Sequence, residues 1–175
     1  MLEILQETDF DQVYAILEQS FPEDERRPYD EQKALLRRSD YRIYGVRDGR
    51  SGRVRAFVSV YRFEDFAYIE HFAVCEQDRN RGLGAAVVQS LFKLLPARVC
   101  LEADPPETEI AARRIAFYRR NGLYPNPYPY MQPPISAGKR AIPLVVLTSG
   151  SVADEAEFCN IRRTLYRRVY RYDGD

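Results

Sequence analysis

The sequence predicts one domain of the α+β class, with mixed α/β element order. Its 175 residues are close to the usual size of a single domain, and 45% hydrophobic with 30% charged residues is typical of globular chains. Runs that alternate apolar and polar residues, as strands do, are interspersed with runs whose apolar residues recur every three or four positions, as in helices. We therefore expect strands and helices to pack around one core.

The first half of the chain predicts a short strand, two helices and then three strands. Residues 2–6 alternate as a half-buried strand does, and Thr8 with Asp11 forms a helix start signal. The first helix should end at Pro22, and a second short helix should begin near Asp30 after a charged loop. Three strand-like runs joined by turns then predict an antiparallel meander over residues 41–47, 54–63 and 67–75.

The second half predicts two long helices and further strands. One helix follows Gly84 and should stop at Pro96, residues 97–104 are strand-like, and a second helix runs from Pro106 to a glycine cap at Gly122. Two further extended runs contain prolines, which indicates edge or bulged positions over residues 126–134 and 140–149.

The C-terminal segment predicts an amphipathic helix beyond the core domain. We expect the core to span residues 1–148, and residues 149–175 to form a helical extension packed on the same domain. A second copy of the chain, in a homodimer, is the alternative partner for the apolar stripe. That stripe is formed by Phe158, Ile161, Leu165, Val169 and Tyr172.

Composition and charge argue against several classes of protein. The 26 basic and 26 acidic residues balance, so no overall field favours nucleic acid or an anionic membrane. Three scattered cysteines and one histidine predict neither a metal site nor a disulfide scaffold. The N-terminus lacks the pattern of a signal peptide and no apolar run could span a membrane, so we expect a cytoplasmic protein.

The most informative stretch joins the strand ending at Val74 to the next helix. A polar loop with Arg79 and Arg81 leads into a helix start that contains Gly82 and Gly84. The unpaired N–H groups of a helix start suit a phosphate, and glycines allow close approach. A dinucleotide fingerprint is excluded because its third glycine is missing and seven residues separate the strand from Gly82. No G-K-S/T follows, which excludes a Walker A loop, so a plain glycine-capped loop is the remaining alternative.

This loop reads Arg79-Asn80-Arg81-Gly82-Leu83-Gly84 and resembles the acyl-CoA signature Q/R-x-x-G-x-G/A of the GNAT acetyltransferase superfamily. Residues 72–74 and 116–123 also look like elements of that family, and the element order agrees over residues 1–148. The resemblance implies a mostly antiparallel central sheet flanked by helices. In it, the strand ending at Val74 and the strand containing Leu101 splay apart to admit acetyl-CoA. One departure is Ala111, which stands where many members have asparagine.

The resemblance also implies which residues hold acetyl-CoA. Backbone groups near Val74 would bind the pantetheine arm, and amides from Arg79 to Gly84 would bind the pyrophosphate. No metal is required. The residues expected to bind the cofactor are Phe72, Val74, Arg79, Asn80, Arg81, Gly82, Leu83, Gly84 and Ala85.

Acetyl transfer to an amine needs a base and a proton donor for the departing thiolate. Tyr118 matches the family tyrosine that serves as general acid. Strand alternation places Glu70 with Tyr68 on the face that borders the acceptor cleft in the family, and His71 on the helix-packed face. Glu70 is therefore the preferred base, with His71, Glu102 and water as alternatives. No cysteine shares that face, which predicts direct transfer without an acyl-enzyme.

The expected acceptor is a primary amine of a small molecule or peptide, and the sequence does not identify it. The acidic residues 23–25 could attract a cationic amine, or could be neutralised by Arg26 and Arg27. Tyr128 and Tyr130 could wall the same cleft or cover a sheet edge. A non-catalytic acyl-CoA sensor or scaffold is the alternative function, and a nucleic-acid-binding module has only the arginines in its favour.

Overall fold

The computed structural model describes residues 1–95 and 97–174, which form two compact units. The first unit comprises Met1–Pro22 and Pro28–Val99. The second comprises Glu23–Arg27 and the chain from Cys100 onward. The helix stop predicted at Pro96 lies outside the described residues.

The first unit contains four strands in the order β1-β2-β3-β4, each pair antiparallel, so the predicted meander is confirmed. Strand β1 is shorter than predicted because Gln6 already turns the chain, its N–H donating to Asp9 Oδ2 at 2.8 Å. The elements of this unit are β1 (Glu3–Ile4), α1 (Phe10–Ser20), α2 (Tyr29–Ala34), β2 (Tyr41–Arg47), β3 (Val54–Arg62), β4 (Phe66–Val74) and α3 (Leu83–Leu94).

Helices α1 and α3 both pack against β3 and β4. Three of the four apolar residues expected to form the stripe of α1, Phe10, Val13 and Leu17, are at most 2% exposed. The fourth, Phe21, follows the helix and is partly exposed. Val88 and Leu91 of α3 are also at most 2% exposed. The period of 3.6 residues in the sequence thus identifies the faces that the helices bury.

A ladder of tyrosines crosses the sheet of the first unit. Tyr41 pairs with Tyr61, and Tyr61 pairs with Tyr68, in the antiparallel register of β2, β3 and β4. The ring centroids are 4.8 Å and 6.2 Å apart, and all three side chains are at most 1% exposed. Cross-strand aromatic pairs of this kind stabilise a sheet. Tyr68 is therefore a core residue, and its place on the face that borders an acceptor cleft stays a prediction.

The second unit contains three strands in the order β5-β9-β6, a two-stranded ribbon of β7 and β8, and two helices. All of these pairs are antiparallel. The two extended runs predicted here are interrupted. Only 131–132 form a strand within residues 126–134, whereas 142–143 and 145–149 form strands within residues 140–149. The elements are β5 (Arg98–Ala103), α4 (Glu109–Arg120), β6 (Leu123–Pro125), β7 (Met131–Gln132), β8 (Ile142–Pro143), β9 (Val145–Ser149) and α5 (Glu155–Leu165).

Local capping determines where α4 begins and ends. The Thr108 side chain accepts from the Ala111 N–H at 3.1 Å, so the helix starts at Glu109, three residues beyond Pro106. Gly122 has φ +86°, the left-handed conformation that ends helices, as predicted from the sequence. These caps place Tyr118 in the last turn of α4.

The C-terminal helix α5 continues into a π-helical turn, Tyr166–Tyr170. Four members of its predicted stripe are buried, from Leu165 at 0% to Val169 at 6% exposed. Tyr172 is 44% exposed, so its assignment to the stripe is wrong. The reason is local: Arg171 adopts φ +53°, which ends the helical path before Tyr172.

The predicted fold class, a mixed α/β fold of mostly antiparallel strands with helices packed on them, is confirmed. Within the second unit, α5 packs on the loop before β7, where Tyr128 and Tyr130 lie 4.7 Å and 6.4 Å from the Phe158 ring. Both tyrosines therefore contact the C-terminal helix. The domain boundary at residue 148 and the splay of the strands around Val74 and Leu101 stay predictions.

Candidate active site

The loop between β4 and α3 is built around a left-handed glycine. After β4 the chain makes a 3₁₀ turn over Glu76–Asp78, and Asn80 and Gly82 then adopt φ +60° and +77°. A Cβ on Gly82 would meet no atom within 4 Å, so the backbone conformation, not crowding, favours glycine there. Gly82 is the N-cap of α3, one residue before Leu83 begins the helix.

This helix start leaves a set of backbone donors open. The Ala86 N–H donates to Gly82 O at 3.1 Å, so the amides of Leu83, Gly84 and Ala85 precede the first intrahelical bond. Gly82 has no side chain that could cap these amides, and residues 83–85 are partly exposed. Consecutive N–H groups at the positive end of a helix dipole fit a phosphate anion.

The loop is anchored by Asp78, which the sequence analysis missed. Arg53 Nη2 and Arg55 Nε donate to the two carboxylate oxygens at 2.9 Å and 2.8 Å, and the Asp78 side chain is 5% exposed. Burial opposes ionisation of this carboxyl, but the hydrogen bonds and charges of Arg55 and Arg53 outweigh it and lower its pKa. The start of the loop between β4 and α3 is therefore tied to β3.

The two loop arginines differ in placement. The Nε of Arg79 folds back and donates to the Val74 carbonyl at 3.0 Å. That carbonyl, expected to help hold a pantetheine arm, therefore already accepts a hydrogen bond. Arg81 is exposed and adjoins the open amides. Arg81 thus adds exposed positive charge next to the helix start, beside the charge of Arg79.

A β-bulge interrupts β4 at Glu70. Ser59 pairs with His71 and the next residue, Val60, pairs with Ile69, so Glu70 is the extra residue. The Ser59 hydroxyl accepts from the His71 N–H at 3.0 Å and so satisfies a main-chain donor beside the bulge. The Glu70 side chain is only 1% exposed although the residue as a whole is partly exposed, so its exposed surface is main chain.

The bulge overturns the predicted separation of Glu70 and His71 onto opposite faces. Glu70 Oε2 lies 3.5 Å from His71 Nδ1, because the extra residue breaks the alternation of side chains. Gln32 Nε2 on α2 also donates to Glu70 Oε2, at 3.3 Å. His71 packs edge-on against Phe21 at 4.9 Å, immediately after α1, which agrees with its predicted helix-packed environment.

Tyr118 lies in the second unit and is 8% exposed. Burial raises its pKa from 10.0 to about 12, with a smaller opposing effect of the Arg114 charge. The Phe117 ring stands edge-on to it at 5.4 Å. Its phenol therefore keeps its proton at neutral pH, as a general acid must.

Glu102, an alternative base, is held by two phenols in the second unit. The hydroxyl of Tyr130 donates to one carboxylate oxygen and that of Tyr170 to the other. Burial is the largest cause that raises the pKa of Tyr130 well above 10, and the Glu102 charge adds to it. Because both oxygens of Glu102 already accept, this carboxylate is less suited than Glu70 to receive a substrate proton.

Two acidic residues of the loop after α1 pair with basic residues that are distant in sequence. Lys139 Nζ donates to Glu23 Oε1 at 2.7 Å, and Arg140 Nε donates to Asp24 Oδ2 at 2.9 Å, all within the second unit. Arg27 is buried and donates to the Val169 carbonyl at 3.3 Å. Lys139 and Arg140 therefore add to the neutralisation expected from Arg26, whose charge also lowers the pKa of Glu23. The hydrogen bond from Lys139 is the main cause that lowers the pKa of Glu23, and the hydrogen bond from Arg140 is the main cause that lowers the pKa of Asp24.

The described parts of the chain offer little for metal or thiol chemistry. Among residues 1–95 and 97–174, no group of three or more His, Cys, Asp or Glu side chains is arranged to hold a metal ion. Cys75 Sγ donates to the Val54 carbonyl at 3.3 Å, and burial is the main cause that raises the pKa of this thiol. None of the helices in the described ranges is long and apolar enough to cross a membrane.

Sequence reasoning missed Asp78, Gln32 and Ser59. One signal was available for Asp78. Arg53 immediately precedes β3 and Arg55 lies in it, so in an extended chain their side chains lie on the same side and can both bind one carboxylate. Gln32 and Ser59 carry no comparable signal, because each contacts a residue of another strand or helix.

Comparison with known proteins agrees with this geometry. The model of the acetyltransferase (GNAT) family matches residues 10–123. A protein described as a GNAT-family acetyltransferase from Bacteroides thetaiotaomicron has a TM-score of 0.87 at 28% identity, covering 97% of this chain and 98% of that one. A search of curated proteins finds no match.

Two more distant structures share the fold. The ribosomal-protein-S18-alanine N-acetyltransferase of Escherichia coli has a TM-score of 0.61 at 23% identity, covering 89% of this chain and 96% of that one. An aminoglycoside 6'-N-acetyltransferase complexed with coenzyme A has a TM-score of 0.62 at 13% identity, covering 89% and 99%.

Proposed function

Because this chain belongs to the GNAT acetyltransferase family, we propose that it transfers an acetyl group from acetyl-CoA to a primary amine of a small molecule or peptide. One observation carries the proposal. The left-handed Gly82 starts α3 with three open amides, and Asp78 ties the preceding turn to β3. Such a donor set suits the pyrophosphate of a CoA thioester.

We propose that the amides of Leu83, Gly84 and Ala85 hold the pyrophosphate, with Arg81 beside them. Asn80 supplies the other left-handed residue of the loop. On β4, Phe72 and Val74 are partly exposed and would line the pantetheine arm, while Arg79 would position the loop through its bond to Val74 O. Acetyl-CoA, when bound, would supply the acetyl group as an activated thioester.

For catalysis we propose Glu70 as the base and Tyr118 as the general acid. The Glu70 carboxylate is buried, so we expect it to take the amine proton through a water that contacts the exposed main chain of the bulge. The Tyr118 phenol, protonated at neutral pH, would donate to the sulfur of the departing thiolate. Transfer would be direct, since the Cys75 thiol has a raised pKa and is engaged with a carbonyl.

The amine class is supported by the fold relatives. The proteins named above act, by their names, on an alanine of a ribosomal protein and on aminoglycosides, and in each case the acetyl group goes to nitrogen. Acceptor choice depends on loops, which differ within one fold. A thiol-release assay with acetyl-CoA should therefore compare polyamines, aminoglycosides, amino acids and peptide N-termini. We expect amine-dependent release with at least one class, and release with none would contradict the proposal.

Gly82→Val tests the cofactor site independently of the acceptor. Acetyl-CoA should raise the Tm of the wild-type protein by mass action. We expect the variant to lose this shift, because valine disfavours φ +77° and would shift the amides that follow. Gly138→Val is the matched control, with φ +79° and equally open space, and should keep the shift. An undiminished shift in Gly82→Val would place the cofactor elsewhere.

A further inference from the structure

A buried glutamine on α2 contacts the carboxylate that we propose as the base. Gln32 is 3% exposed, and its Nε2 donates to Glu70 Oε2 at 3.3 Å and to the Tyr41 hydroxyl at 2.9 Å. All three residues belong to the first unit. One amide nitrogen therefore connects α2 and β2 to the bulge of β4.

The oxygen of the same amide is left unsatisfied. Gln32 Oε1 is buried and accepts no hydrogen bond from the described residues. Turning the amide over would present Oε1 to the Tyr41 hydroxyl, but it would also bring Oε1 against the Glu70 carboxylate, where two acceptors repel. The carboxylate thus determines the orientation of the amide. An unsatisfied buried acceptor destabilises the fold, which points to a use for the donor other than stability.

We propose that Gln32 is a positioning residue for Glu70, whose N–H donor keeps the carboxylate ionised and fixed in orientation beneath the bulge. The inference rests on the proposed function, since it takes Glu70 as the base. A donated hydrogen bond stabilises a carboxylate more than a neutral carboxyl group. The contact therefore favours the form of Glu70 that can accept a proton.

Other groups surround this carboxylate and must enter the test. His71 Nδ1 lies 3.5 Å away on β4, and the Tyr41 hydroxyl of β2 is reached through Gln32. Next to His71, β3 presents the neutral Ser59 hydroxyl, and the Phe21 ring follows α1. Because His71 Nδ1 is close to Glu70 Oε2, the His71 ring is a second group that a change at Gln32 could affect, so the test follows both side chains.

Gln32→Met is the informative substitution, since it keeps the length of the side chain and removes both the donor and the unsatisfied oxygen. The titration of the Glu70 carboxyl carbon and the His71 ring is followed by NMR without substrate. We expect the Glu70 midpoint to rise by about one pH unit. The Tm at neutral pH should fall, because the buried Glu70 carboxylate loses its donor, and the loss of the unsatisfied Oε1 offsets part of that fall. A merely structural role would lower the Tm and leave the midpoint in place.

Two controls separate the donor from the rest of the cluster. Tyr41→Phe removes the other partner of Nε2 and leaves the donor on Glu70. Glu31→Gln changes an exposed neighbour on the same helix. Both should keep the wild-type midpoint. An unchanged midpoint in Gln32→Met, or an equal shift in Tyr41→Phe, would overturn the proposal.

Kinetics then connect the titration to the reaction. The pH profile of kcat/KM is measured with acetyl-CoA and the most active amine of the panel. Its acidic limb should move to higher pH by about one unit in Gln32→Met. Below that limb we expect a rate about tenfold lower, with the KM for acetyl-CoA unchanged. A shifted carboxyl midpoint with an unshifted rate profile would overturn Glu70 as the base, and with it the role of Gln32. Absence of turnover in the wild type would count against the proposed function alone.

Discussion

At the scale of single residues, burial raises the pKa of Tyr118 to about 12, so the phenol holds its proton throughout the usual assay range. Tyr118→Phe should lower kcat about 10- to 100-fold with little change in the affinity for acetyl-CoA, because the ring still packs and only the proton donor is lost. Steady-state kinetics measures kcat, and a direct binding experiment measures the affinity for acetyl-CoA. Wild-type turnover in the variant would remove the general-acid role.

The same pKa predicts the sign of a change in stability. A tyrosine titrates near 10.0 when unperturbed and near 12 in the folded protein, so the unfolded chain loses the proton first as pH rises. This contribution to stability is fully present below pH 10 and is lost as pH increases to about 12, amounting to about 2 to 3 kcal/mol. The Tm of the wild type should therefore fall more steeply over that range than the Tm of Tyr118→Phe. Parallel curves would contradict this effect of burial.

At the scale of elements, the loop that starts α3 depends on an ion-paired carboxylate. Arg53 and Arg55 hold Asp78, and the lowered pKa of that carboxyl means that its stabilising effect is present above about pH 3.8 and lost as pH falls through the folded value. Asp78→Asn should destabilise the protein by about 1 to 3 kcal/mol and raise the KM for acetyl-CoA.

The matched control for this change is Asp48→Asn. Asp48 lies in the turn before β3, and its carboxylate accepts hydrogen bonds from the backbone N–H groups of Arg50 and Ser51. Among the described residues, its carboxylate makes no hydrogen bond to the loop before α3. The Asp48→Asn variant should have an altered Tm but the same KM for acetyl-CoA as the wild type. Equal KM values in Asp78→Asn and the wild type would show that Asp78 does not position the loop.

At the scale of the molecule, the C-terminal extension is bonded to three separate parts of the second unit. Tyr170 donates to Glu102, Tyr166 donates to the Met131 carbonyl at 2.6 Å, and Arg27 donates to the Val169 carbonyl. Its apolar stripe is buried as well, at about 1.5 to 3 kcal/mol for each large side chain. These contacts support our proposal that the extension packs on its own domain.

Deleting residues 151–175 should therefore give a less stable or insoluble protein whose oligomeric state is unchanged. Thermal unfolding and size-exclusion chromatography with light scattering measure the two outcomes. Tyr170→Phe is a milder variant, which removes one donor to Glu102 and should lower the Tm without loss of solubility. A well-behaved dimer that becomes a folded monomer on truncation would contradict intramolecular packing.

The sequence by itself determined the elements and the cofactor motif of this protein. Helical and strand periods, the Gly122 cap and the glycine spacing before α3 are local features, because each depends on residues within a few positions of one another. For that reason the fold class and the glycine-containing start of α3 follow from sequence alone, whereas the left-handed φ of Gly82 is seen only in the structure. The family resemblance rested on the same short motifs.

Only the tertiary structure decided how the proposed base is placed. The extra residue in β4 depends on pairing with β3, and it brings Glu70 beside His71 where strict alternation separates them. Gln32 lies 38 positions from Glu70, and Arg55 lies 23 from Asp78. Such contacts have no local period, since they arise when distant segments pack together. The sequence therefore determines which groups are available, and packing determines which of them meet.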